Sequence, residues 1–204
     1  MKHILFILLF VYATAINAQS FVLTPTGFVD SIDNKSTYVV VPFEGKNQEE
    51  IYNLALKATK NIITKIEKIQ NAEEKIEQEK FKEITINGVV PNITTKGSLI
   101  MGYNYNLFFK LTLEFKDNKM RVNAPQIVDI KTGQFHVTAN LRTTSYIRRI
   151  YLNEEKKDTH YIFKKNGKIK SAKNKEDIET GTNQYIRRIL SQMNDIENKK
   201  EEEW

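Results

Sequence analysis

Beyond the first segment of the chain, His136 and His160 are the residues best suited to proton transfer or metal binding, and their spacing argues against both roles. Neither has a second ligand two, three or four residues further on, so a metal site would have to recruit Asp129, Asp158 or Glu114 from other strands. His136 alternates with Phe135 and Val137, which turns its ring toward solvent or the outer face of a sheet. Serines are few and none sits in a nucleophile elbow. Glu114 stands alone on its strand, whereas a glycosidase needs two facing carboxylates. The chain has no cysteine, which removes thiolate catalysis, disulfides and cysteine-based metal sites. The sequence therefore assigns no catalytic residue, no metal and no cofactor, and a secreted hydrolase with an unrecognised site ranks third among the functions considered.

Groups suited to binding are easier to find. The run NYNLFFKLTLEFKDN (104–118) alternates Tyr105, Leu107, Phe109, Leu111, Leu113 and Phe115 against polar partners, the signature of an antiparallel strand with one face in the core. Its outward residues, read as Tyr103, Asn104, Asn106, Phe108 and Lys110, offer aromatic and amide groups suited to a glycan or a peptide. The motif YIRRI occurs at 146–150 and again at 185–189, and Arg148, Arg149, Arg187 and Arg188 would suit an anionic partner if they converged. The favoured alternative buries Tyr and Ile and leaves each arginine pair in water, where surface charges contribute little. Five residues are too short a repeat to demonstrate duplication.

The elements that must hold these groups follow from the pattern. STYVVVPFEG (36–45) reads as a strand stopped by Pro42 and Gly45. Asn47 and Glu50 form a capping box, and Ile51, Leu54, Ala55, Ala58, Ile62, Ile66 and Ile69 make one apolar stripe of a helix over 47–70. The charged stretch 70–80 is either an extension of that helix or a loop. FKEITINGVV (81–90) is a strand with Ile84, Ile86 and Val90 on one face, Asp117 and Asn118 mark a tight turn, and Pro125 suggests an edge or a bulge. A turn at Thr132 and Gly133 leads into QFHVTANLR, YIRRIYLNEEKK is a helix or a strand, and Asn166-Gly167 predicts a hairpin. Ile178, Tyr185, Ile186, Ile189, Leu190, Met193 and Ile196 lie at helical spacing in a C-terminal helix from about Lys175.

The N-terminal segment sets the compartment. Lys2, an apolar run from Ile4 to Tyr12 and small residues ending at Ala18 have the layout of a secretory signal peptide, with cleavage between Ala18 and Gln19 and Ala15 as the fallback. The apolar run falls short of the roughly 20 residues a membrane span needs, and no second run follows. The chain is read as exported, periplasmic or extracellular, with no transmembrane segment in its mature form. Its formal charge of +6 comes mostly from lysines diluted among acids, which disfavours a nucleic-acid stripe. Asn34 and Asn92 fit a eukaryotic glycosylation pattern and are treated as noise.

The segment GKNQEEIYNLALKATKNI follows a strand and leads through a charged stretch into a meander of strands. With Gly45, Lys46, Glu50, Ile51 and Tyr52 in that arrangement, residues 36–130 resemble an uncharacterised secreted Bacteroidetes domain family of unknown function with a TATA-box-binding-protein-like fold. The resemblance implies a helix on one face of a curved antiparallel sheet and carries over no catalytic residue. Asp30, Ser31 and Ile32 resemble the acceptor that exported Bacteroidetes proteins use for O-glycosylation, placing a glycan on Ser31 ahead of the first predicted strand. A minor-groove binder of that fold would need apolar wedges and phosphate-tracking cations, for which Phe108, Lys110, Arg121 and Arg142 are the candidates. The tandem duplication of the TATA-binding protein is absent here, and fold alone does not carry function.

The sequence thus reads as a signal peptide (1–18), one α+β domain (19–196) and a charged tail (197–204). The expected fold is a curved antiparallel sheet with the 47–70 helix on one face and a C-terminal helix. The expected role is non-catalytic binding of a cell-envelope or extracellular ligand, whether glycan, peptide or anionic surface component. The alternative is a structural module that adds a partner strand at the sheet edge near Pro125.

Overall fold

In the computed structural model, which describes residues 20–70, 75–79, 81–97, 102–133, 135–139, 142–154 and 160–202, the capping box closes as its spacing requires. The Asn47 amide donates to Glu50 Oε2 at 2.8 Å, and the Glu50 amide donates to Asn47 Oδ1 at 2.9 Å. Two otherwise orphaned donors are satisfied reciprocally, and helix α1 (Gln48–Gln70) begins there. Ile51, Leu54, Ala55, Ala58 and Ile62 of the predicted stripe are buried. The side chains of Ile66 and Ile69 lie outside the described residues. Each fully buried Ile or Leu contributes about 1.5–3 kcal/mol.

That stripe covers one face of a six-stranded sheet built from β3 (Tyr38–Pro42), β4 (Lys75–Glu79), β5 (Glu83–Gly97), β6 (Gly102–Lys116), β7 (Lys119–Asn123) and β8 (Gln126–Thr132). The order is β3-β7-β6-β5-β4, every pairing is antiparallel, and β8 also pairs with β6. Strand β6 is the spine, and all six of its predicted inward residues are buried, none more than 2 % exposed. Asn118 takes the left-handed φ of 63° in the tight turn to β7. The chain then breaks at Pro125, which has no N–H for a ladder, so β7 and β8 lie end to end along the same side of β6.

The first ribbon, β1 (Phe21–Thr24) with β2 (Gly27–Asp30), precedes what the sequence reading took as the first strand. Its turn is short and Gly27 adopts φ 120°. Helix α2 (Ala172–Glu202) packs beside α1 and over β5 and β1, burying every residue of its predicted stripe, and it runs to Glu202. Asn183 fastens the first strand to it, accepting from the Phe21 amide at 2.8 Å and donating to the Phe21 carbonyl at 2.9 Å. Gly181 makes the close approach possible, because a Cβ there would lie 2.0 Å from Ile93 Cδ1.

Three expectations change, and one open alternative, helix or strand for YIRRIYLNEEKK, is settled as strand. The stretch 70–80 is neither helix nor loop throughout, since it contains β4. Ile76 turns inward opposite Ile86 while Glu77 and Glu79 guard an outer strand, so a single inward apolar residue suffices at a sheet edge. Strand β5 runs past Pro91 to Gly97 by means of a bulge between Val90 and Thr94, with Asn92 at φ 49°. YIRRIYLNEEKK contributes β11 (Ile150–Asn153), which pairs in parallel with β12 (His160–Phe163), whereas β9 (Phe135–Ala139) and β10 (Arg142–Tyr146) pair antiparallel. The Asn166-Gly167 turn forms with Gly167 at φ 76°, but its second arm reduces to one bridge, Phe163 to Ile169. Ile169 is the lone apolar residue of that arm and is 50 % exposed, so nothing anchors a longer pairing.

Candidate functional site

The even-numbered residues of β6 project from the sheet face opposite the helices. Across the strands they align in rows: Arg121, Glu114, Glu83 and Glu79 in one, Thr112, Thr85 and Glu77 in the next, then Gln126, Lys110 and Asn87, and then Asp129, Phe108 and Val89. Among the described residues no helix or second sheet packs on this face. Asn106, Phe108 and Lys110 are half-buried and Asn104 is exposed.

Four of the five predicted ligand residues share that face, and the fifth does not. Tyr103 lies two residues from Tyr105, which puts it on the inward side, where it rests against the core margin beneath the Arg148 guanidinium, 4.1 Å from its ring centroid. Period-two counting from the buried set would have placed it there. Burial pushes the neighbouring Tyr105 phenol above its ordinary value, with Arg148 pulling the other way. Asn104 and Asn106 face outward, but each has its carbonyl oxygen engaged by β5. Thr95 Oγ1 donates to Asn104 Oδ1 at 3.0 Å, and the Asn92 amide of the bulge donates to Asn106 Oδ1 at 2.9 Å. These two amides hold the β5 bulge in register and keep only their NH₂ groups for anything else.

Phe108 and Lys110 are placed differently. Lys110 sits between Gln126 and Asn87 and is in no ion pair among the described residues. Phe108 has Lys131 Nζ 4.6 Å from its ring centroid, a cation–π contact. Lys131 also reaches Asp129 at 3.3 Å, and Arg149 Nε donates to the same carboxylate at 3.2 Å. Lys131, Asn87 and Gln126 were not foreseen as site residues, because they arrive from β5 and β8 and depend on a register that a single strand does not encode.

The four arginines of the two YIRRI motifs do not converge as a unit. The Lys131 to Arg149 bridge sends Arg149 to the outer face, while Arg148 turns inward over Tyr103, because adjacent residues of an extended segment point to opposite sides. Arg187 and Arg188 are exposed on α2 and hold no ion pair among the described residues. In the second YIRRI motif, Tyr185, Ile186 and Ile189 are buried, which is the anchoring arrangement.

At the other end of the face most polar groups satisfy one another, while Arg121 Nε is buried with no hydrogen-bond partner among the described residues. Thr85 bonds Thr112 at 3.1 Å and Glu83 at 3.0 Å, Asn123 donates to Glu114 at 2.6 Å, and Arg121 reaches Glu114 at 3.5 Å while lying 4.0 Å from the Tyr38 ring centroid. Glu114, considered above as a recruited metal ligand, is thus held by a cation and an amide. No group of three or more His, Cys, Asp or Glu able to hold a metal occurs among the described residues. His160 is half-buried at the start of β12, and the side chain of His136, Asp158 and the Ala18–Gln19 junction lie outside the described residues. Ser31 follows β2, its hydroxyl 2.8 Å from that of Ser20, in a turn where the neighbouring Ile32 is 71 % exposed.

The residues Gly45 to Tyr52 prove to be a stitch. Gly45 adopts φ 77° and donates to Asn118 Oδ1 at 2.9 Å. The Gln48 amide donates to Asp117 Oδ1 at 2.8 Å, its side chain donates to the Phe115 carbonyl at 2.9 Å, and Lys46 pairs with Glu197. Tyr52 is buried edge-on to Phe115, with ring centroids 5.5 Å apart. The start of α1 is thereby tied to the β6–β7 turn.

Residues 38–128 match a domain of unknown function with a TBP-like fold (DUF4468). The DUF4468 match begins with the first residue of β3 and ends at Val128, inside β8, so it spans α1 and the sheet as far as the first half of β8. The Gly45 to Tyr52 pattern behind the resemblance lies inside it. A solved TBP-like protein from Parabacteroides distasonis aligns over 78 % of this chain and 88 % of that one, at 16 % identity and a TM-score of 0.43. A DUF4468 family protein from Bacteroides ovatus aligns over 76 % of this chain and 84 % of its own, at 12 % identity and a TM-score of 0.47. Among curated proteins none matches this chain.

Proposed function

We propose that this chain is an exported, non-catalytic binding module whose ligand surface is the outer sheet face around Phe108 and Lys110. The observation that carries the reading is a half-buried aromatic ring beside a lysine with no ionic partner among the described residues, on a face that no described helix or second sheet covers. Charges seek partners and apolar rings seek cover, so a lysine without an ionic partner among the described residues beside a ring only partly covered by Lys131 is suited to a ligand. The two carboxylates nearest the spine, Asp129 and Glu114, are each bound to cations rather than facing one another as an acid–base pair. Export rests on the three-part N-terminal segment, and β1 begins at Phe21, two residues after Gln19.

The test is binding of the purified protein to isolated cell-envelope fractions, with and without the double substitution Phe108→Ala, Lys110→Ala. Loss of binding with an unchanged melting temperature supports the face, and unchanged binding sinks it. N-terminal sequencing of the exported protein should begin at Gln19, and retention of the whole chain inside the cell would remove the export half of the reading.

A further inference from the structure

The chemistry of the lower half of this face narrows the ligand, provided that the face is the binding surface. We propose that the ligand is an acidic polysaccharide lying along β6, with one sugar ring on Phe108 and carboxylates meeting Lys110 on one side and Lys131 and Arg149 on the other. Charge is the first argument. Lys110, Lys131 and Arg149 surround a single carboxylate, Asp129, so the quadrant keeps a positive surplus. Arg149 spends Nε on Asp129, which leaves its terminal nitrogens for a second carboxylate.

Spacing is the second. Lys110 and the row of Asn106 and Lys131 are four residues apart along the strand, ~14 Å at the usual rise. Phe108 lies between them. The Lys131 side chain leans back over Phe108, its Nζ 4.6 Å from the ring centroid, so the cations form a row along β6 that an extended chain with repeated carboxylates can follow.

The third argument separates a glycan from other polyanions. A sheet face presents side chains only, with its backbone amides committed to neighbouring strands, so a peptide cannot dock here by adding a strand. What the face does present is an aromatic ring, which packs on the apolar face of a sugar, and in the next row the side-chain amides of Asn87 and Gln126 on either side of Lys110, which pair with hydroxyls. A nucleic-acid duplex laid across the sheet would meet Glu77, Glu79, Glu83 and Glu114, whose charges repel phosphate.

The experiment titrates the purified protein with polygalacturonate, alginate and hyaluronate, with carboxyl-reduced polygalacturonate, with poly-glutamate and with a DNA duplex. The expected result is binding to at least one acidic polysaccharide, weakened at least tenfold by Lys110→Gln and by Lys131→Gln and weakened by added salt. Equal binding of the carboxyl-reduced polymer would overturn the acidic ligand while leaving the face intact. Equal binding of poly-glutamate or DNA would replace the glycan by charge alone. Binding to none of the three polysaccharides overturns the proposal, and the envelope-binding result with Phe108→Ala, Lys110→Ala then decides whether the face survives. Polysaccharide binding that none of the face substitutions alters refutes the face itself. Circular-dichroism melts of each variant separate lost binding from lost folding.

Discussion

The two ends of the outer sheet face are built on the same strands and differ in how far they satisfy themselves. Around Glu114 most polar groups close on one another, with Arg121 Nε the exception: Arg121 and Asn123 serve Glu114, Thr85 serves Thr112 and Glu83, and Glu79 takes Lys82 at 2.6 Å. Around Phe108 closure is partial: Asp129 holds Lys131 and Arg149, while Lys110 faces outward with amides on either side and no counter-charge among the described residues. Closed networks contribute to the fold, because each bond made within the protein replaces one to water and fixes a side chain. Open groups contribute little to the fold, and their placement is free to serve something outside it.

That contrast can be broken from beneath. Gly88 lies beneath the Phe108 end, paired with Phe109, and a Cβ there would sit 2.5 Å from Phe109 Cζ. The ring cannot retreat easily, since Tyr185 stacks edge-on against it with centroids 5.0 Å apart. Gly88→Ala should cost about 1–3 kcal/mol by overpacking, read as a lowered urea midpoint. A smaller effect sharpens the upper end: Glu114→Ala removes the partner of Arg121 and Asn123 and should cost about 1 kcal/mol, discounted for half-exposure, without weakening ligand binding.

Tyr105 tests the inward side of the lower end through pH. Its phenol is raised in the folded state, so its contribution to stability is complete below the ordinary value of about 10 and is lost as pH climbs through the folded value. Thermal melts should fall in the alkaline range above about pH 10, and Tyr105→Phe should flatten that fall. The smallest expected effect on stability is that of Lys110→Gln, within about 0.5 kcal/mol, and this is the substitution that should cost binding most clearly. A large loss of stability there would mean that the two ends do not differ after all.

Local signals in the sequence located the parts of the fold that depend on neighbours in the chain. The reciprocal cap at Asn47 and Glu50 and the six alternating residues of β6 are both complete within fifteen residues, and both formed as read. Strand β4 escaped because an edge strand needs only Ile76 inward, which in KIEQE looks like one apolar residue in a charged run. The bulge at Asn92 disguised the second half of β5 as a strand end. The site suffered most from this, since Phe108 and Lys110 could be placed on a face from β6 alone, while Lys131, Gln126 and Asn87 enter only through pairings between strands. Tyr103 was misassigned by one step of the pleat, and the arginine doublet at 148–149 looked like one charge cluster until its alternation split it between two sides.

The bonds from Asn183 to Phe21 join residues 162 positions apart, and Leu23 is held in the same way by Glu179 at 2.6 Å. The first strand of the domain therefore has no complete seat until the last helix arrives. A chain emerging from a ribosome or threaded through a translocation pore with its N-terminus leading would stay unlatched until its final thirty or so residues came through. Closure of this domain is therefore a late event in the life of the chain, since its first strand waits for its last helix.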